Sequence, residues 1–272
     1  MIDCQCVEFL QWALPRLQMC WPGFRKVRKQ VCKRIDRRIK QLGLMDVAAY
    51  RAYLQASSAE WSVLDSFCRI SISRFYRDQS VFDCLGGEVL PSLASLAQER
   101  GDNTLRCWSA GCASGEEVYT LAIVWKLRVE PQHADVSLRI VATDSDPELL
   151  DRARHGCYFI SSLKDFPREW LPVAFDQQDN SYCVRPAFRD PVELVLQDIR
   201  YVIPEGTFDL VLCRQLAFTY FDEALQRETL QQILAKLQPG GIFVAGKQEP
   251  LPAGCLELEE YRPRMGIYRK RS

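Results

Sequence analysis

Apolar positions recur at helical spacing over the first seventy residues and then change period. Val27, Val31, Ile35 and Ile39 stand four apart, which aligns them as one stripe along a helix spanning about 24–42. The neighbouring stretches 6–17, 48–54 and 60–68 carry the same period, so residues 1–72 are expected to form a small all-helical domain. Residues 73–103 read as a linker and a further helix. After residue 104, apolar runs of strand length take over, at 105–108, 138–142, 192–196, 208–213 and 242–245, with a late pair near 256–258 and 266–269. Helical stretches separate several of them, at 116–128, 147–154 and 222–237, the last closed by Pro239-Gly-Gly241. This alternation predicts an α/β fold, Rossmann-like, with a parallel sheet and helices on both faces over residues 104–272. The interval from Cys157 to Asp190 breaks the alternation. A turn at 177–181 and a short strand at 182–185 predict a small β insertion over about 157–192.

In sheets of this kind ligands lie at the carboxyl ends of the strands. That rule gathers four segments far apart in sequence: the loop 110–117, Asp144, Asp198-Ile199 and Arg214-Gln215. The loop lies in Leu105-Arg-Cys-Trp-Ser-Ala-Gly-Cys-Ala-Ser-Gly-Glu-Glu117, a strand, a small-residue turn and a helix start. Small residues let backbone approach a ligand, and the helix N-terminus presents free N–H groups. The loop is neither a G-x-G-x-x-G turn nor a Walker A motif, since no lysine follows it. Its acidic end suits a cationic nucleotide-type cofactor better than a polyphosphate, and S-adenosylmethionine is the natural candidate. Asp144, at the tip of the next strand, is where a ribose diol needs a carboxylate. Two readings of Glu117 stand at this point: a cofactor contact, or the third helical position of a capping box begun by Ser114. Asp146 before Pro147 is an expected helix N-cap.

Charge changes the picture in one place. The formal net charge is zero, so whole-molecule attraction to nucleic acid is not indicated. Locally, however, Arg25, Lys26, Arg28, Lys29, Lys33, Arg34, Arg37, Arg38 and Lys40 cover the helix opposite the apolar stripe, against a single Asp36. A solvated face ordinarily mixes signs. The excess points to a docking surface for an acidic or helical protein, with Arg25, Lys29, Lys33 and Arg37 as its candidate residues. The twelve cysteines form no C-x-x-C pair and only His133 and His155 could join them, so no metal site is expected. They read as reduced, buried thiols of a cytoplasmic protein. No apolar run is long enough to span a membrane.

Several blocks resemble the CheR family of chemotaxis receptor methyltransferases. Ile70-Ser-Ile-Ser-Arg-Phe-Tyr-Arg-Asp78 is similar to its T-x-N-x-T-x-F-F-R-[DE] block, and Trp108-Ser-Ala-Gly-Cys-Ala-Ser-Gly-Glu-Glu117 to its W-S-A-[GA]-[CA]-S-[TS]-G-E-E loop. Ala142-Thr-Asp144, Ala153-Arg-x-Gly-x-Tyr158, Phe208-Asp209 with Cys213-Arg214, and Tyr220-Phe-Asp222 follow in the family's order. The resemblance covers nearly the whole chain. It implies a class I methyltransferase domain that uses S-adenosylmethionine, yields S-adenosylhomocysteine, needs no metal and forms methyl esters on glutamates of a protein partner. Carried onto this sequence, it implies Ala110 and Gly111 under the methionine part of the cofactor and Glu117 near its amino group. Asp144 would meet the ribose, and Asp198 and Ile199 would flank the adenine. Arg77, with Ser73 a helical turn earlier, would meet the cofactor and the incoming carboxylate, and Tyr220 would stand near the sulfonium. Arg214 and Gln215 complete the expected set.

The departures lie more on the substrate side. Cys213-Arg-Gln-Leu-Ala-Phe-Thr-Tyr-Phe221 is one residue longer than the family's C-R-N-[VL]-L-I-Y-F, with Gln215 for the asparagine, and Gly246-Lys-Gln-Glu249 replaces G-x-S-E. A divergent branch is expected. Its acceptor is a glutamate of a protein, or another acceptor such as a small molecule, a different side chain or RNA; a non-catalytic cofactor-binding adaptor is the third reading.

Overall fold

The computed structural model describes residues 3–271. Its contacts divide the chain into two units, one of residues 3–71 with Thr219–Gln226 and one of Ile72–Phe218 with residues 227–271.

The first unit is helical, built on Asp3–Ala13, Arg28–Gln41, Val47–Ala56 and Ser58–Cys68. The four-residue period does what periodicity dictates: Val31, Ile35 and Ile39 are buried, packed with Phe9, Leu10, Phe24, Tyr50, Leu54 and Leu64. Asp46 caps the Val47–Ala56 helix by accepting the Ala49 N–H at 2.8 Å. A buried Glu60 takes both arms of Arg38 (2.9 and 2.8 Å) and the Tyr50 hydroxyl (3.0 Å). Arg34 donates to the carbonyls of Phe67 and Arg69, each at 2.8 Å, and so satisfies acceptors that the end of the Ser58–Cys68 helix leaves open. Arg28 holds Asp3. Three of the basic residues on this helix are therefore internal fasteners, while Arg25, Lys29, Lys33 and Arg37 are exposed. The returning segment joins through an antiparallel bridge between Met19 and Phe221, flanked by Cys20 N–H to Tyr220 O (2.8 Å) and Asp222 N–H to Gln18 O (2.9 Å).

The second unit is an α/β domain. Its strands are β1 (Thr104–Ala110), β2 (Ser137–Asp144), β3 (Cys157–Phe159), β4 (Phe175–Gln178), β5 (Ser181–Val184), β6 (Val192–Leu196), β7 (Phe208–Cys213), β8 (Leu237–Ala245), β9 (Leu258–Arg262) and β10 (Ile267–Lys270). The main sheet has the order β6-β2-β1-β7-β8-β10-β9, with the first five parallel and β10 antiparallel to both neighbours. All six residues of β7 are buried, as a central strand covered on both faces requires. The interval that broke the alternation forms a separate antiparallel sheet, β3-β5-β4. Phe75 packs edge-on against Tyr158 and Phe175 of that insertion, at 4.8 and 5.1 Å between ring centres.

Several expectations need correction. The twelve cysteines are not all thiols: Cys6 is joined to Cys32 and Cys157 to Cys183. Each pair is 26 residues apart, a spacing with no local signature; helix packing brings the first pair together, and strand register sets the second directly opposite. Pro239-Gly-Gly241 does not form a loop after a helix. The Glu223–Lys236 helix passes straight into β8, and Gly240 at φ +74° lets the strand run through an irregularity of register with β7. The late pair lies at β9 and β10, with β9 two residues further on than the apolar pattern suggests. Ser73 and Arg77 do not share a helical turn. Residues 69–74 are non-helical, Tyr76 and Asp78 both adopt left-handed backbone (φ +57° and +63°), and the next helix starts at Gln79.

Candidate active site

The carboxyl ends of β1, β2, β6 and β7 carry the residues that the motifs singled out. Beyond β1 the chain turns through three left-handed residues, Gly111 (φ +78°), Ala113 (+49°) and Gly115 (+93°). Glycine is required at 115, because a Cβ there would sit 2.9 Å from the Tyr119 ring and 3.0 Å from the Tyr158 hydroxyl. The Thr143 carbonyl accepts the N–H groups of Gly111 (2.8 Å) and Cys112 (3.0 Å), which fixes the turn to β2. Asp144 completes the cradle: one carboxylate oxygen takes the Ala113 N–H at 2.8 Å and the other the Asp146 N–H at 2.9 Å. Ala110 is buried at the strand end beneath this turn. Asp146 caps the Pro147–His155 helix as expected, through the N–H groups of Glu148 and Leu149.

Glu117 is not part of a capping box. Its oxygens accept the Ser109 hydroxyl and Arg214 Nη1, each at 2.9 Å, whereas the Ser114 hydroxyl donates to Glu116. Arg214 is almost wholly buried and reaches a second carboxylate, with Nη2 at 2.5 Å from Asp78 Oδ2. One guanidinium thus bridges two carboxylates, Asp78 and Glu117, and leaves the pair with net negative charge. Arg77 is placed differently. Its Nη1 donates to the Ile72 carbonyl and its Nη2 to Gln215 Oε1, each at 2.5 Å, and both acceptors are neutral. Burial pulls its pKa below the usual arginine range, with Asp78 opposing that shift and Arg214 reinforcing it. A partly desolvated cation held by neutral groups favours an incoming anion.

The strand ends also bring in Asp198 and Ile199. Ile199 is buried, and Asp198 is clasped by Arg200 through Nε (3.0 Å) and Nη2 (2.6 Å). Gln197 ties the end of β6 to β2 through its N–H on the Asp144 carbonyl (3.0 Å), and its side-chain Oε1 is buried without a partner among the described residues. Ser73 is half-buried in the non-helical segment before Arg77. Tyr220 lies in the first unit, its ring 5.0 Å from that of Phe24.

Motif reading passed over Ser109, Asp78, Gln197 and Glu249. Asp78, Ser109 and Glu249 had a signal, since each lies in a segment set against the family's pattern; Gln197 becomes visible only when distant strand ends meet.

The donor set fits S-adenosylmethionine. Carboxylates at Asp144 and Glu117 suit hydroxyl and ammonium donors and repel phosphate, and the unpartnered Gln197 Oε1 is an acceptor suited to an exocyclic amine. Among the described residues no group of three or more His, Cys, Asp or Glu is placed to hold a metal ion.

Comparison with known proteins agrees. Residues 71–262 match the family described as CheR methyltransferase, SAM binding domain. A chemotaxis protein methyltransferase of Listeria monocytogenes is 32% identical over 186 residues, 68% of each chain. That of Salmonella typhimurium is 32% identical over 231 residues, 82% of this chain and 76% of the relative. An uncharacterised 104.1 kDa protein of Rhodobacter capsulatus is 30% identical over 221 residues; the match covers 81% of this chain and 23% of that much longer one. A half-buried acidic cradle at the strand ends, the ordered blocks around it and these matches together make the chain a member of the CheR methyltransferase family, with S-adenosylmethionine as its cofactor.

Proposed function

We propose that this methyltransferase forms methyl esters on glutamate side chains of a chemoreceptor-like protein partner, a reading supported by relatives named chemotaxis protein methyltransferases. The observation that carries the reading is the state of Arg77: its side-chain hydrogen bonds go to two neutral oxygens, while Arg214 holds Asp78 and Glu117. A guanidinium in that state can grip a carboxylate by two N–H groups and hold it in line for displacement.

When bound, S-adenosylmethionine supplies an activated methyl group on a positively charged sulfur. Asp144 takes the ribose hydroxyls, Glu117 the amino group, and the turn from Ala110 through Gly111 to Gly115 lies against the methionine portion. Asp198 and Ile199 border the adenine, and Arg214 and Gln215 complete the set beside Glu117 and Arg77. A glutamate acceptor is already ionised near neutral pH, so no general base is required of the chain. Arg77 and Ser73 orient and desolvate that carboxylate. The exposed Arg25, Lys29, Lys33 and Arg37 dock an acidic, helical stretch of the partner.

The test has two parts. Calorimetric titration with S-adenosylhomocysteine is expected to show micromolar binding that Asp144→Ala abolishes; no binding by the folded wild-type chain would overturn the reading. Tritiated methyl groups transferred to bacterial membrane and soluble proteins should then be released as methanol by mild base. Label that resists base would assign an N- or S-methyl product, and label in RNA a different acceptor class.

A further inference from the structure

The hydrogen bonds that orient Arg77 begin at a residue to which no role has yet been given. Glu249 follows β8 and is buried, and a single oxygen, Oε2, accepts the N–H groups of Gly246 (2.6 Å) and Gln215 (2.7 Å). Glycine at 246 makes room for it, because a Cβ there would lie 2.3 Å from that oxygen. Gln215 needs the support. Its backbone is left-handed at φ +57°, a conformation that disfavours a long side chain and that charge-assisted hydrogen bonds to its N–H can hold. From that turn Gln215 Oε1 reaches Arg77 Nη2. The path Glu249 to Gln215 to Arg77 therefore joins the segments after β8 and β7 to the non-helical stretch before Gln79.

We propose that Glu249 is a positioning residue: by clamping the Gln215 turn it fixes the guanidinium of Arg77 in the one orientation that receives the acceptor carboxylate. This rests on the role proposed for Arg77. The clamp also accounts for Gln215 itself. A glutamine in left-handed backbone reaches further than the asparagine of the family pattern, and it keeps that reach only while its N–H is held.

The experiment reads the Nε–H signal of Arg77 by heteronuclear NMR on the full chain, assigned by its loss in Arg77→Lys. The wild type should show a resolved signal that exchanges slowly with solvent. Glu249→Ala and Gln215→Ala should each speed that exchange by roughly tenfold or more, as expected when a local constraint is released. Glu249→Gln, whose amide oxygen can accept the same two N–H groups, should restore the slow signal. The double variant should exchange no faster than either single one, because the two residues act in series. If Glu249→Ala fails to fold, Gly246→Ala displaces the same carboxylate and is judged by the same signal. A wild-type Arg77 signal already averaged with the other arginines, or one indifferent to Glu249, overturns the inference. Titration of the same samples with S-adenosylhomocysteine separates the two levels: loss of binding in the wild type sinks the function proposed above, whereas intact binding with an indifferent Arg77 sinks only the positioning role.

Discussion

Arg214 shows how one side chain can tie several segments of a site together. It bridges Glu117 at 2.9 Å and Asp78 at 2.5 Å from a position only 8% exposed, so the helix after the small-residue turn and the start of the Gln79–Cys84 helix are locked to the end of β7. Removing a buried charge leaves its partners uncompensated. Arg214→Gln should therefore destabilise the fold by about 3 kcal/mol. The companion variant Glu117→Gln should cost less, because Ser109 still meets an acceptor and Arg214 keeps Asp78. Chemical denaturation of the two variants side by side checks the order; equal losses would mean that the bridge is not what holds these segments.

At the scale of elements, the Arg28–Gln41 helix divides its charges by position. Arg34 and Arg38 face inward to helix-end carbonyls and to Glu60, Arg28 pairs with Asp3 at the surface, and the row Lys29, Lys33 and Arg37 is exposed. Reversing two charges of that row, Lys29→Glu with Lys33→Glu, should leave the melting temperature nearly unchanged. It should slow methyl transfer to an acidic protein acceptor by roughly tenfold at low salt, with the gap closing as salt rises. The inward row predicts a pH effect. Arg38, foremost, and Tyr50 hold the Glu60 pKa below its ordinary value although burial opposes them. A depressed carboxylate contributes stability above its unfolded pKa, and that contribution is lost as pH falls through the folded value. Thermal melts should thus show the helical unit weakening below about pH 4.3, the ordinary range of a glutamate, and Glu60→Gln should flatten that acid limb. An unchanged slope would remove Glu60 from the account. The stripe Val31, Ile35, Ile39 was readable because one face of a helix repeats in sequence; which arginines are engaged was not, since their acceptors come from two other helices.

Over the whole molecule, the parts legible in the sequence are those whose cause is local. β7 appears as an unbroken apolar run because both its faces are covered, and the turn from Gly111 to Gly115 appears as small residues because its backbone is left-handed. Asp144 could be placed at a strand tip by counting alone. What stayed hidden depends on partners brought from far away: the Cys157–Cys183 pair, the Glu249 clamp, and the use of Pro239-Gly-Gly241 inside β8. The return of Thr219–Gln226 to the first unit belongs to the same group, and it bears on how the protein is made. Residues 18–20 meet residues 220–222, a separation of about two hundred, so the helical unit leaves the ribosome long before its last segment exists. Contacts so remote in sequence form late. A nascent chain halted before residue 219 should carry helices with slack packing, and the isolated fragment 1–71 should bind a hydrophobic dye and melt without a sharp transition. A fragment that melts as sharply as the intact chain would show that the last segment is dispensable; otherwise folding of the first seventy residues is completed only when most of the methyltransferase domain has been made.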